Sequence, residues 1–263
     1  MRKYIFIFKS EIMSNLQYIF NIVTGFIGCF IMLFIFLNLW QYIYADPNEL
    51  INGYNMNQMM WYVIITEVLW SIIGGRNLCK KISNDVRSGN IAYNINKPYN
   101  YIGYALSNHL GDVIVKMFIY TILAMIMGYI FLGSFPNLNI VSVLATIISA
   151  FLATIVSSLF IIFIGLFSFI IEDSGPFYWV YAKFILIIGT IFPIEFFPKT
   201  IQPIINYSPI YALSYGPAKL FVDFNLNTFL SVLISQIIYI FIGWLICSLL
   251  YKKGVRNLNV NGG

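Results

Sequence analysis

The single histidine, His109, and the three cysteines, Cys29, Cys79 and Cys247, are the side chains best suited to metal binding or nucleophilic attack. They are scattered, and no two stand at a ligand-like spacing or suit a disulfide framework. The sequence has no Gly-x-x-x-x-Gly-Lys-Ser/Thr loop to cradle a phosphate and no Gly-x-Ser-x-Gly elbow to expose a nucleophile. No catalytic site and no metal site is therefore expected, His109 reads as structural, and any energy must come from another subunit. Two other sets of residues stand out. One is the polar stretch Asn84–Pro98, "NDVRSGNIAYNINKP", which breaks two long apolar runs. The other is Glu67 and Lys183, each alone in an apolar run.

The elements that position these residues follow from the solvent. The 263 residues are 60% hydrophobic and 10% charged, with mean hydropathy +0.82, whereas soluble domains carry about a quarter charged residues. Such a chain can hide its apolar surface only in lipid. Six runs reach the roughly 20 residues that a membrane-crossing helix needs: 17–43, 57–75, 112–133, 139–171, 176–193 and 227–250. They are continuously apolar, not alternating, which excludes barrel strands. The fold class is therefore all-α: an integral membrane bundle of six transmembrane helices in a single domain, 1–263. Cys29 and Cys247 then read as small intramembrane residues and Cys79 as a reduced cytosolic thiol.

Charge orients the bundle. Arg2, Lys3, Lys9, Arg76, Lys80, Lys81, Arg87, Lys97, Lys252, Lys253 and Arg256 fall on one side, and only Lys199 and Lys219 on the other. The positive-inside rule puts both termini in the cytoplasm. The net charge of +5 sits at the edges of apolar runs, so it marks orientation and not a nucleic-acid partner; membrane lipid is the partner it implies. The abundance of Ile, Asn, Lys, Tyr and Phe points to an AT-rich bacterial genome, hence a bacterial plasma membrane. The basic start is followed by an apolar run too short for a cleavable signal peptide. Trp40, Tyr42, Tyr44, Trp61 and Tyr62 read as an aromatic belt at the outer interface.

Within this frame, Ile5, Phe8, Ile12 and Leu16 recur at spacings of three and four, so 1–16 forms either an interfacial helix or a straight extension of the first span. Pro98–Gly133 is 36 residues, about 54 Å of helix against a core of about 30 Å, so its first half must lie outside the hydrocarbon. Asp112 and Lys116, one turn apart, are expected to pair. Ala145, Ser149, Ala153 and Ser157 repeat every four residues. That face serves helix packing, the favoured reading, or lines a solute path with hydroxyls. Glu67 lies eight residues from Gly75, about 12 Å deep, and Lys183 seven from Pro176, about 10 Å deep. A lone charge at mid-membrane costs roughly 2.5–3.5 kcal/mol, so a Glu67–Lys183 salt bridge is predicted, either structural or on the solute path. A Glu67–Lys116 pair is the rival, although Lys116 can snorkel to the boundary.

The segment 76–98 lies on the cytoplasmic side between the second and third spans. Ser83 or Asn84 can cap a short helix there, Ser88-Gly89 makes a turn, and Pro98 closes the segment. It is either an ordinary basic loop or a docking element for a soluble partner. Asp85-x-Arg87-Ser88-Gly89 with Lys97-Pro98 resembles the signature of type-2 permeases of ATP-binding-cassette exporters, in particular the daunorubicin-resistance-like branch. "FPIEFFPKTIQPIINYSPIYALSYGPAKLF", Phe192–Phe221, is similar to that branch's outer segment, with Phe192-Pro193, Phe197-Pro198, Pro209 and Pro217 in order. The tail from Tyr251 to Gly263 resembles the family's C-terminus, so the likeness spans nearly the whole chain. Asn90 departs from the acidic residue that the pattern has after Ser-Gly.

The resemblance implies that 76–98 is a coupling helix seated in a cleft of a cytosolic ATPase. Arg87 would make the partner hydrogen bonds, Asp85, Ser88 and Gly89 would support the turn, and Asn90 would alter one contact. It implies that 193–223 forms outer re-entrant helices acting as a gate, with Pro193, Phe197, Pro198, Pro209 and Pro217 shaping it. It also places the second and fifth spans close together along the path. The chain itself would bind no cofactor; ATP and Mg would be bound by the partner. The expected assembly is two ABC ATPase subunits with a second permease, identical or homologous, moving an amphiphilic lipid, drug or hydrophobic peptide. The alternative is an ATP-independent secondary transporter or channel with Glu67 and Lys183 as ion-coupling groups.

Overall fold

A computed structural model describes residues 2–261 apart from 45, 47–48, 137–138 and 172, with only the backbone for 95 and 257–261. The described residues are helical, with one isolated bridge between Ile51 and Tyr54. Five helices are long and apolar enough to cross a membrane, and Gly175–Ile191 forms a shorter apolar one. The order is α1 (Arg2–Gln17), α2 (Ile19–Ile43), α3 (Met56–Ile73), α4 (Arg76–Arg87), α5 (Asn90–Ile95), α6 (Tyr101–Leu132) and α7 (Ile140–Leu166). There follow α8 (Gly175–Phe184), a π-helix (Ile185–Ile191), a 3₁₀ turn (Ile194–Phe196), α9 (Gln202–Asn206), a second π-helix (Tyr211–Tyr215), α10 (Gly216–Val222) and α11 (Leu226–Asn261).

Local sequence sets most of the boundaries. Asn55, Asn100 and Asn139 cap α3, α6 and α7 by accepting from the backbone N–H three residues on, and Gly133 closes α6 in the left-handed conformation at φ +69°. The core is built on α3 and α7. Every residue of α3 from Met59 to Leu69 is buried. On α7 the small residues Ala145, Ser149, Ala153 and Ser157 are all buried. Thr146, Thr154 and Ser158 turn their hydroxyls onto their own helix backbone. That face is used for close helix packing, which α11 exploits: Gln236 Nε2 donates to Ser149 O at 2.9 Å, Ser149 Oγ at 3.0 Å and Ala212 O at 2.9 Å. By contrast α2 buries one stripe, Ile22, Phe26, Cys29, Leu33, Leu37 and Trp40, and leaves its other faces exposed.

Helix α1 packs along the first half of α6. Ile5 and Leu16 are exposed, whereas Tyr4, Phe8 and Glu11 meet α6 where Gly103 and Gly111 leave room. A Cβ on Gly111 would sit 2.7 Å from Phe8 O and 2.7 Å from Glu11 Cβ. Since backbone cannot yield, Gly111→Leu is expected to lift α1 off the bundle, loosening the helix around the already exposed Lys3 and Lys9 so that trypsin cleaves there in the folded protein. Unchanged cleavage would show that α1 is held elsewhere.

The basic segments meet at one end of the bundle. Lys3 donates to Pro98 O, the Tyr101 and Tyr251 rings stack at 5.6 Å, and Lys81 Nζ donates to Asn108 Oδ1 at 2.9 Å. Asp112 and Lys116 pair at 2.7 Å, as expected. The aromatic residues read as a belt are mostly internal. Trp40, Tyr44, Trp61 and Tyr62 are buried, and only Tyr42 is exposed. Trp40 packs edge-on against Phe192 and Phe196, and Trp61 lies against Phe135 and Phe221, so residues 192–221 supply three of the four rings, partners that a bare span would lack.

Candidate functional site

At the basic end, α4 is one continuous helix. No cap forms at Ser83 or Asn84: Ser83 Oγ is buried and accepts from Ser168 Oγ at 2.7 Å, and Asn84 is exposed on the helix surface. Leu78, Cys79, Ile82 and Val86 are buried against α7, where Gly165 makes room for Ile82. The opposite side presents Arg76, Lys80, Lys81, Asn84 and Arg87 to the outside. Ser88 Oγ donates to Asn84 O at 2.7 Å and Gly89 adopts φ +74°, so the chain reverses directly into α5. Asp85 Oδ2 accepts from Tyr101 Oη at 2.8 Å, which ties α4 to the start of α6. Arg87, Ser88, Gly89 and Asn90 stand exposed at the tip. The result is a helix–turn–helix whose apolar side is fixed against α7 and whose charged side and tip are exposed.

At the other end, residues 193–222 break into short helices rather than a span. Pro193 and Pro217 are buried, Phe197 and Pro209 half-buried, and Pro198 exposed. Their centre is a polar knot that the sequence analysis did not anticipate. Glu195 Oε1 accepts from Tyr215 Oη at 2.6 Å and Tyr54 Oη at 3.1 Å. Lys219 Nζ lies 3.7 Å from Glu195, 3.1 Å from Asp223, and 4.6 Å from the Tyr54 ring centroid. Burial, then the neighbouring Tyr215 and Glu195, push the Tyr54 phenol well above its ordinary value, so it remains a donor. The two π-helices abut through Ser214 Oγ, which donates to Gly189 O at 2.8 Å, and Tyr62 Oη donates to the same carbonyl at 3.1 Å. Thr66 Oγ1 donates to Thr190 O at 2.9 Å. Carbonyls released by π-helix geometry are thus satisfied by hydroxyls of α3, as irregular backbone within a membrane protein requires.

The family model described as ABC-2 family transporter protein matches residues 11–262. The chain belongs to this family. No curated protein matches the sequence. As an ABC-2 chain it is a transport subunit and a multi-pass membrane protein, and its polar helix–turn–helix and broken terminal segment are the two places where a bundle of apolar helices departs from plain spanning structure.

The intramembrane charge pair is corrected by the ABC-2 fold. Lys183 is exposed, with Nζ 4.7 Å from the Trp179 ring centroid one turn earlier, and among the described residues it has no ion pair. Glu67 is buried, accepts from Ser71 Oγ at 3.4 Å through Oε1, and leaves Oε2 without a partner. Matched depth was a sound inference from helix rise, but pairing also needs matched facing. Helix α8 turns Lys183 outward, and a cation over an indole face has an alternative partner. The rival Glu67–Lys116 pair fails too, because Lys116 is held by Asp112. All three cysteines are free and buried. Among the described residues no cluster of His, Cys, Asp and Glu could hold a metal ion.

Sequence reasoning missed Glu195, Lys219 and Gln236. Glu195 and Lys219 do carry one legible signal: they are charges inside a stretch otherwise filled with aromatic and proline residues. Gln236 is an uncharged polar residue mid-way along an apolar helix, and only its partners show its use.

Proposed function

We propose that the chain is the membrane-spanning permease subunit of an ATP-driven exporter of the daunorubicin-resistance-like branch. It pairs with a second permease, identical or homologous, and two cytosolic ATPase subunits bind the ATP and Mg. The observation that carries this reading is α4: a helix locked to α7 on its apolar side, with the exposed tip Arg87–Asn90 at the end where the basic residues collect. A helix so held transmits displacement to α7 and, through Asp85 and Tyr101, to α6. Gentle purification of the tagged chain should bring an ATPase subunit with it, and Arg87→Ala should weaken that association. Recovery of the chain free of any ATPase from its native host would overturn the proposal.

In this reading the basic end faces the cytoplasm, and Gly175–Ile191 is a sixth crossing. Its 17 residues span about 26 Å, which a small local thinning of the bilayer accommodates. The segment 193–223 then forms the outer gate, shaped by Pro193, Phe197, Pro198, Pro209 and Pro217. The labelling test uses the exposed positions Lys199 and Tyr207. Cysteines placed there should react with an impermeant reagent from outside, and one at Lys252 only after permeabilisation. Reaction of Lys199→Cys solely from inside would break the six-span topology. The interior is apolar and aromatic, which suits an amphiphilic substrate. The ATP-independent alternative needs Glu67 and Lys183 as joint ion-coupling groups, and the outward position of Lys183 counts against it.

A further inference from the structure

Arg76, Lys80 and Arg87 lie at spacings of four and seven along α4, and all three line a cleft of about 500 Å³ whose opposite wall is the Asp173–Trp179 turn. Among the described residues none of these three cations has an ion pair or a side-chain hydrogen bond. The one carboxylate lining the cleft among the described residues is Asp173, whose Oδ1 already accepts from Gly175 N at 2.9 Å. The floor is fixed: Ser83 is bonded to Ser168, and Cys79 Sγ lies 3.6 Å from Ser174 Oγ. Arg76 and Lys80, one helical turn apart, repel each other, and among the described lining residues the single carboxylate of Asp173 does not offset the positive charge. An anion with several oxygen acceptors would, and Arg and Lys together suit a phosphate.

The cleft also has a definite depth. It opens beside the first turns of α8, an apolar helix whose Phe177, Trp179 and Val180 are more than half exposed. Tryptophan at the end of an apolar membrane helix marks the headgroup level, where basic pockets between helices take up anionic lipid. A soluble protein's acidic residue would have to approach past these exposed apolar side chains, whereas a lipid headgroup is already there. We propose that this cleft is a binding site for the phosphate headgroup of an anionic phospholipid, held by Arg76 and Lys80. Arg87 stands about 16 Å further along the helix from Arg76, at the exposed tip, and is left for the ATPase.

The test uses the purified full-length chain in detergent without any ATPase, so its outcome is independent of the coupling proposal. Native mass spectrometry would follow binding of phosphatidylglycerol and phosphatidylcholine, with inorganic phosphate as competitor. Phosphatidylglycerol should be retained at least about tenfold more tightly, and R76Q/K80Q should weaken it about 30-fold at an unchanged melting temperature. The exposed single change Lys80→Gln should cost about fivefold and Lys80→Arg almost nothing, which keeps the test decisive if the double variant folds poorly. Equal retention of the two lipids, or no effect of Lys80→Gln, would overturn the proposal. Displacement by millimolar inorganic phosphate with no lipid preference would assign the cleft to a soluble phosphate instead. Unchanged lipid binding in R76Q/K80Q would likewise overturn it.

Discussion

Gly89→Val is expected to cut ATP-driven transport by about tenfold or more while leaving membrane insertion and yield near the wild type. Gly89 sits at φ +74° in the turn between α4 and α5, and an added Cβ would meet nothing within 4 Å. The cost is therefore conformational and not steric crowding. A left-handed residue with a Cβ costs roughly 1–2 kcal/mol, and a β-branched side chain is worse placed than most. The bundle would survive that cost, because α4 is anchored by Leu78, Ile82 and Val86. The turn would relax instead, and the direction of Ser88 and Asn90 relative to Arg87 would change. Gly89→Asn provides the control, since asparagine tolerates this region; it should keep most of the activity. Arg87→Ala should uncouple transport without altering the turn. Full activity in both Gly89→Val and Arg87→Ala would remove the coupling role from this loop.

Glu195→Ala is expected to lower folding stability by about 2–4 kcal/mol, read as a lower melting temperature in detergent. Glu195 Oε1 is the common acceptor for Tyr54 and Tyr215, and its charge faces Lys219. Removing it leaves two phenols without an acceptor and Lys219, about one-fifth exposed, with only Asp223. Glu195→Gln keeps an acceptor oxygen and loses the charge, so it should cost clearly less than alanine. Asp223→Asn should cost under about 1 kcal/mol, because its side chain is 59% exposed and solvent screens the pair. If Glu195→Ala and Asp223→Asn melted alike, the knot would not hold the 193–223 segment to the 49–55 loop.

The sequence by itself determined the all-helical class, the presence of long apolar membrane helices, though six runs were read where five helices are long enough to cross, and the gathering of basic segments at one end. Each is a local or additive property: run length against bilayer thickness, and lysine and arginine at the edges of apolar runs. Asp112–Lys116 and the small-residue stripe of α7 were legible for the same reason, since both are fixed by the helix period alone. Only the tertiary structure decided what each side chain faces. In a soluble helix a polar side announces the direction of the core. In α3 and α8 apolar residues lie on nearly every side, so facing leaves little trace in the sequence and is set by which neighbour packs there. That is why matched depth placed Glu67 and Lys183 together while the fold turns Lys183 outward onto Trp179. It is also why Trp40, Trp61 and Tyr62 read as an interfacial belt until Phe192 and Phe196, Phe221, and Tyr215 respectively pack against them. Glu195, Tyr54, Tyr215 and Lys219 meet across as many as 165 positions of chain, a juxtaposition made by the folding of two segments against each other and by no spacing within either.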